Sequence, residues 1–219
     1  LRGVNIMERK NNILIFLVSI FITGLIGANI LATKIFTIGP IMAPAGVIAY
    51  PITFLCTDII SELWDRNTAQ RVVWAGFFAS VIFLILSYVA VILTPASFYS
   101  HQEVFAEIFG KVGRITFAGL LAYIISQSHD VWTFHFLKDL TEGRHLWLRN
   151  NLSTIGSQFL DTIIFITIAF AGTMPLRALL LMMAGQWFVK VVMALMDTPF
   201  CYLGVGLVSR SLTVENQPG

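Results

Sequence analysis

The chain has 219 residues, of which 57% are hydrophobic and only 12% charged, with a formal net charge of +2 and a mean hydropathy of +0.80. Soluble domains carry about 25% charged residues, so this composition excludes a soluble globular protein and indicates an integral membrane protein. The length leaves no room for a separate soluble domain, and nothing in the charge pattern marks a nucleic-acid partner.

A helix needs roughly 20 apolar residues to cross the hydrocarbon core. By that measure the chain predicts six transmembrane helices, at about 12–33, 43–64, 71–93, 113–137, 152–172 and 176–204. The first run is longer than the apolar core of a secretory signal and reads as a retained span. Met7, followed by "ERKNN", reads as the natural start and residues 1–6 as an upstream extension. Segment 39–44, "GPIMAP", reads as a turn with two prolines. Segment 94–113 is the longest loop, with a short interfacial helix in its middle, "QEVFAEIFG". The sixth span carries the helix-disturbing Pro199. Cys56 and Cys201 lie in apolar runs and read as small buried hydrophobes, not a disulfide. The expected architecture is an all-α integral membrane protein, with one six-helix transmembrane domain over 1–212 and a disordered tail at 213–219.

Lys and Arg set the orientation. With six spans both ends share a side, and that side carries Arg2, Arg9, Lys10, Arg66, Arg71, Lys138, Arg144, Arg149 and Arg210. The other carries Lys34, Lys111, Arg114 and Arg177. The bias places both termini in the cytoplasm.

The polar residues inside the spans carry the functional signal. The second span holds "CTDIISELWDR", in which Asp58 and Glu62 stand four apart and so share one helix face. The fourth and fifth each hold S-Q-x-x-D, giving Gln127 with Asp130 and Gln158 with Asp161. The sixth adds Gln186, Lys190 and Asp197, and the first contributes Asn29. At about 1.5 Å per residue, Asp130 and Asp161 both lie roughly 12–15 Å from the cytoplasmic end. Five acids thus share the interior with one clear base, Lys190, and they must face one another, water or a ligand. Carboxylates with carboxamides suit a ligand rich in N–H groups. Trp64, Trp132, Phe134, Phe159 and Trp187 are at hand to sandwich a flat ring. Polar residues also serve as interhelical glue, and Glu62 and Asp197 are shallow enough to be ordinary helix-end groups. His129 and His135 stand six apart, a poor metal-ligand spacing. No metal or cofactor is expected.

Five stretches, "ANILATKIF" (28–36), "YPITFLCTDIISELWDRNTAQRVVWAGF" (50–77), "SQSHDVWTFHFLK" (126–138), "LRNNLSTIGSQFLDTIIF" (148–165) and "KVVMALMDTPF" (190–200), resemble the bacterial queuosine precursor transporter family, also called the vitamin uptake transporter family. The resemblance runs from the first helix to the sixth. It implies a multi-pass bacterial inner-membrane protein that takes up 7-deazaguanines (preQ0, preQ1 and in some members queuine) for tRNA queuosine modification, without an ATPase of its own. It also implies a fold like that of the six-helix substrate-binding components of energy-coupling-factor transporters. In this frame Asp161 or Asp58 accepts the guanine-like N–H edge, Gln127 and Gln158 set specificity, and Lys190 balances the acids. Asp58 and Glu62 line the site or gate it from the cytoplasmic side.

Other readings stay open at this level. A substrate-binding component with a shared energising module would use small residues on an early helix, such as Gly24 and Gly27. A facilitator for another vitamin-like or nucleobase-like metabolite fits the same polar set, and homo-oligomerisation is open. An intramembrane enzyme is disfavoured: there is no HExxH, no G-x-S-x-G and no Ser-His pair in register.

Overall fold

A computed structural model describes the backbone of residues 2–141 and 146–213, with most of their side chains. The expected tail falls almost wholly outside the described residues. The elements are α1 (Arg2–Leu31), β1 (Ile35–Ile38), β2 (Ile41–Pro44), a 3-10 turn (Ala45–Ala49), α2 (Tyr50–Leu63), α3 (Arg66–Ile92), α4 (Gln102–Leu140), α5 (Leu146–Phe170) and α6 (Leu176–Thr213). Among the described residues, five helical segments are long and apolar enough to cross a membrane: Met7–Leu31, Ala45–Leu63, Asn67–Ile92, Gln102–Ser126 and Leu176–Met193. Ile155–Phe170 is a shorter apolar helix. The protein is a mostly helical, multi-pass membrane protein.

Helix α5 runs 25 residues, Leu146–Phe170, and its apolar stretch among the described residues is Ile155–Phe170. Three details differ from the reading of the sequence. Segment 39–44 is more than a turn. Gly39, at φ 57°, and Pro40 connect an antiparallel hairpin that pairs Ile38 with Ile41 and Ile35 with Pro44. A positive φ at the first central residue is what a two-residue type II′ loop requires, and glycine supplies it without strain. The expected separate interfacial helix is instead the first turns of α4, which runs unbroken for 39 residues, about 58 Å. Finally, α6 stays helical across position 199.

Between α2 and α3 the chain reverses in a tight turn. There Asp65 caps α3, its carboxylate accepting the Thr68 N–H at 2.7 Å and the Thr68 hydroxyl at 2.9 Å. These two bonds hold the exposed Asp65 carboxyl below the usual carboxylate range.

The chain forms two compact units. The first comprises Leu1–Ala28, Ile48–Phe83 and Val192–Gly219. Its core is Leu17 and Phe21 of α1, Cys56, Ile59 and Ile60 of α2, and Ala69 and Val72 of α3. Small residues set its helix approaches, as lipid-embedded packing requires. A Cβ on Gly76 would stand 2.6 Å from the Phe21 ring, and one on Gly204 would stand 2.5 Å from Ile59. Gly24 faces Thr53 at 3.1 Å, whereas Gly27 faces open space.

The second unit comprises Asn29–Val47 and Leu84–Val191. Its core joins Ala32, Ile115, Ala118, Ala122, Phe165, Ile166, Ala169, Phe170, Leu179 and Met182. Here α4 packs along α5. Arg114 Nε donates to Ile168 O, and its terminal nitrogen donates to Ala171 O at 2.7 Å. The guanidinium thereby satisfies carbonyls at the α5 C-terminus, where the helix dipole favours a cation. Arg114→Ala should remove about 1 kcal/mol and lower the apparent Tm in detergent by about 2–4 °C. Arg114→Lys, a point charge without the fork, should recover only part of this.

Candidate functional site

The antiparallel register of α4 and α5 sets the depth of the polar residues. Gly119 stands opposite Phe165, Ser126 opposite Asp161, and His129 opposite Gly156. From α6, Lys190 Nζ forms an ion pair with Asp161 Oδ2. Ser126, Asp161 and Lys190 therefore meet from three helices of one unit.

The pair sits among buried polar side chains. Lys190, Ser126, Ser157, Thr162 and Gln186 are all buried. Ser157 and Gln158 lie one turn before Asp161, and Gln186 lies one turn before Lys190, on the same faces. Thr162 bonds back to the Gln158 carbonyl at 2.8 Å, so it takes no share of the acid. A lone carboxylate or ammonium in such a place would be prohibitive, and the pair compensates both.

Asp161 nevertheless keeps capacity. Among the described residues its Oδ1 receives the Ser126 hydroxyl, at 3.5 Å, and that hydroxyl also reaches the Tyr123 carbonyl of its own helix at 3.2 Å. This is the long limit of a hydrogen bond. A carboxylate offers about four lone-pair directions, and the Asp161 side chain remains 19% exposed. The acid is neutralised and still reachable.

The other expected site residues are placed as follows. Gln158 is half-buried on α5. Asn29 is half-buried, with its Oδ1 beside Gly119 and Phe165. Trp132 is 63% exposed and stacks on Phe136 at 5.4 Å, away from the Ser126 face of α4. Asp58 and Glu62 are exposed on α2, in the other unit. The side chains of Gln127, Asp130 and Asp197 lie outside the described residues. The sequence offered no role for Ser126 and Ser157, and offered Trp187 and Phe159 only as faces to sandwich a flat ring. Ser126 and Ser157, the first residues of the two S-Q-x-x-D stretches, are buried. Trp187 packs edge-on against Phe159 at 5.6 Å, and its buried indole N–H has no acceptor among the described residues.

A family model described as "Putative vitamin uptake transporter" matches residues 44–204. The chain belongs to the vitamin uptake transporter family. The matched region includes the whole Ser126–Asp161–Lys190 cluster. Among relatives, a "Probable queuosine precursor transporter" of Bacillus subtilis (strain 168) is 31% identical over 176 residues, covering 80% of this chain and 77% of that protein. The "Queuosine precursor transporter" of Escherichia coli (strain K12) is 30% identical over 125 residues, covering 57% of this chain and 54% of that protein. A protein of Haemophilus influenzae bearing the first of these names is 29% identical over 125 residues, 57% of this chain and 51% of its own. No solved structure matches the chain. Membership in the vitamin uptake transporter family makes this a transporter and not an enzyme.

Proposed function

We propose that the protein imports 7-deazaguanine queuosine precursors of the preQ0 and preQ1 type across the bacterial inner membrane for tRNA queuosine modification, with queuine as the further candidate that some family members take up. In this reading it works as a single six-helix domain with both termini in the cytoplasm. The observation that carries it is the reachable carboxylate of Asp161, paired with the buried Lys190. A 7-deazaguanine presents a ring N–H and an exocyclic amino group side by side, and one carboxylate accepts both. Gln158 and Gln186 bring amides to the carbonyl edge, and the Trp187 N–H is a further donor in want of an acceptor. The three relatives, each named a queuosine precursor transporter or a probable one, support this reading.

Binding by the purified protein in detergent tests this. Thermal stabilisation by preQ1, preQ0 and queuine is compared with guanine, adenine and riboflavin. A ligand at 100 times its Kd adds about 2.7 kcal/mol, so selective stabilisation by a deazaguanine is expected. Stabilisation by none of the three, with the protein folded, would transfer the proposal to another small metabolite.

A further inference from the structure

The hairpin β1–β2 meets α6 at an unexpected depth. A Cβ on Gly185 would run into the Met42 carbonyl oxygen and stand 3.0 Å from the Met42 N and C atoms. The β2 backbone therefore lies directly on α6. Gly185 is nine residues past Leu176, inside the apolar segment Leu176–Met193. At 1.5 Å per residue that is about 13 Å from the start of the helix, and Lys190 is about 8 Å further on. Met42 also packs against the α4–α5 core, and Ala43 and Pro44 are buried. The strand thus sits at membrane depth inside its unit.

The partner strand is different. In β1, Ile35, Thr37 and Ile38 are exposed and Phe36 is half-buried. The two-residue loop fixes which backbone groups pair across the hairpin: Ile38 with Ile41, then Phe36 with Ala43, while Ile35 and Thr37 turn their N–H and C=O outward. The Ala45 N–H bond to Lys34 O at 2.7 Å continues this alternation. No backbone bond joins the outward groups of Ile35 and Thr37 to another segment among the described residues. Neighbouring strands lie about 4.8 Å apart, so this open edge is close to the depth of Met42. Hydrocarbon does not tolerate open strand edges; irregular backbone at that depth is stable only inside protein or against water.

We infer that the hairpin is a re-entrant element and that its free edge, Ile35–Ile38, lines a water-filled approach from the outside to the Asp161–Lys190 pair. The substrate passes along this edge, where peptide N–H and C=O groups replace part of its hydration. The inference rests on the proposed function for the identity of that substrate and for which side is the outside; the open edge itself stands on the geometry.

Cysteine labelling tests it in membranes. In a background carrying Cys56→Ala and Cys201→Ala, single variants Thr37→Cys, Ser100→Cys and Phe78→Cys are exposed to a membrane-impermeant maleimide. Ser100 is an exposed loop residue, and Phe78 is an exposed residue within the apolar α3 segment Asn67–Ile92. Maleimide reacts with thiolate, which forms in water and not in lipid. Thr37→Cys should label within about tenfold of Ser100→Cys, and Phe78→Cys at least about 100-fold more slowly. A deazaguanine already shown by thermal shift to bind should slow Thr37→Cys several-fold and leave Ser100→Cys unchanged. Labelling of Thr37→Cys as slow as that of Phe78→Cys overturns the inference, and Ile35→Cys on the same edge checks that result. Fast labelling that a bound ligand leaves unaltered overturns the role of the edge as an approach. Should no deazaguanine bind in the thermal assay, the substrate reading fails, and the labelling rates alone still decide whether the edge faces water.

Discussion

Asp161→Asn and Lys190→Met should each destabilise the protein, and the double variant should be more stable than either single one. Removing one member of a buried ion pair deprives the other charge of its direct counter-charge, a loss of about 3–5 kcal/mol in fully buried cases. Asp161 is partly reachable by solvent, so roughly 2–3 kcal/mol is expected here, an apparent Tm fall of about 4–12 °C. Removing both charges should restore most of this, because the Asn–Met pair leaves no buried charge, and the Asn amide still has the Ser126 hydroxyl to bond to. Binding should behave differently. If Asp161 accepts the ligand's N–H edge, the double variant regains stability and remains unable to bind. Thermal unfolding with and without preQ1 reads both quantities from one experiment. A double variant that is stable and binds preQ1 with unchanged affinity would remove Asp161 from the site. A double variant no more stable than the single ones would show that the pair is not an isolated energetic unit.

Much of this was legible in the sequence because membrane interiors punish polar residues. Asp161 and Lys190 stood out as charges in apolar runs, and counting residues from the helix ends already put Asp161 well inside the membrane. Their pairing was not legible. It depends on how α5 and α6 are rotated about their axes, and side chains 29 positions apart carry no sign of that. Trp132 shows the same limit. It lies close in sequence to the polar stretch of α4, yet six residues from Ser126 rotates it to another face, where it stacks on Phe136. Arg114 was counted only as a charge near the outer membrane face, whereas the fold uses it to close the end of α5. The hairpin was hidden for a different reason. Four-residue strands bounded by Gly and Pro have too little periodicity to separate from a turn, and a glycine required by backbone contact looks like any other small residue in a membrane helix. Only the neighbour at Gly185 reveals why it is glycine.

Gly185→Ala should therefore abolish uptake out of proportion to its size. The added methyl group meets the Met42 backbone, not a side-chain tip that can turn away. Either α6 or the hairpin must shift, and overpacking of this kind costs roughly 1–3 kcal/mol. Helix α6 is tied to α5 by the Lys190–Asp161 pair and by the packing of Leu179 and Met182. Among the described residues the hairpin is seated chiefly through its buried β2 face, so it is the element expected to move. The helices should remain assembled, with helical content in detergent unchanged and the apparent Tm lowered by about 2–12 °C. Gly119→Ala is the matched control in the same unit, because its Cβ would meet Asn29 and Phe165 at an ordinary 3.9 Å. It should leave both stability and uptake near the unmutated values. Uptake by Gly185→Ala equal to that by Gly119→Ala would mean that the seat of the hairpin on α6 has no part in transport. Loss of uptake with the helices intact would place the working path at the hairpin, five residues along α6 from Lys190.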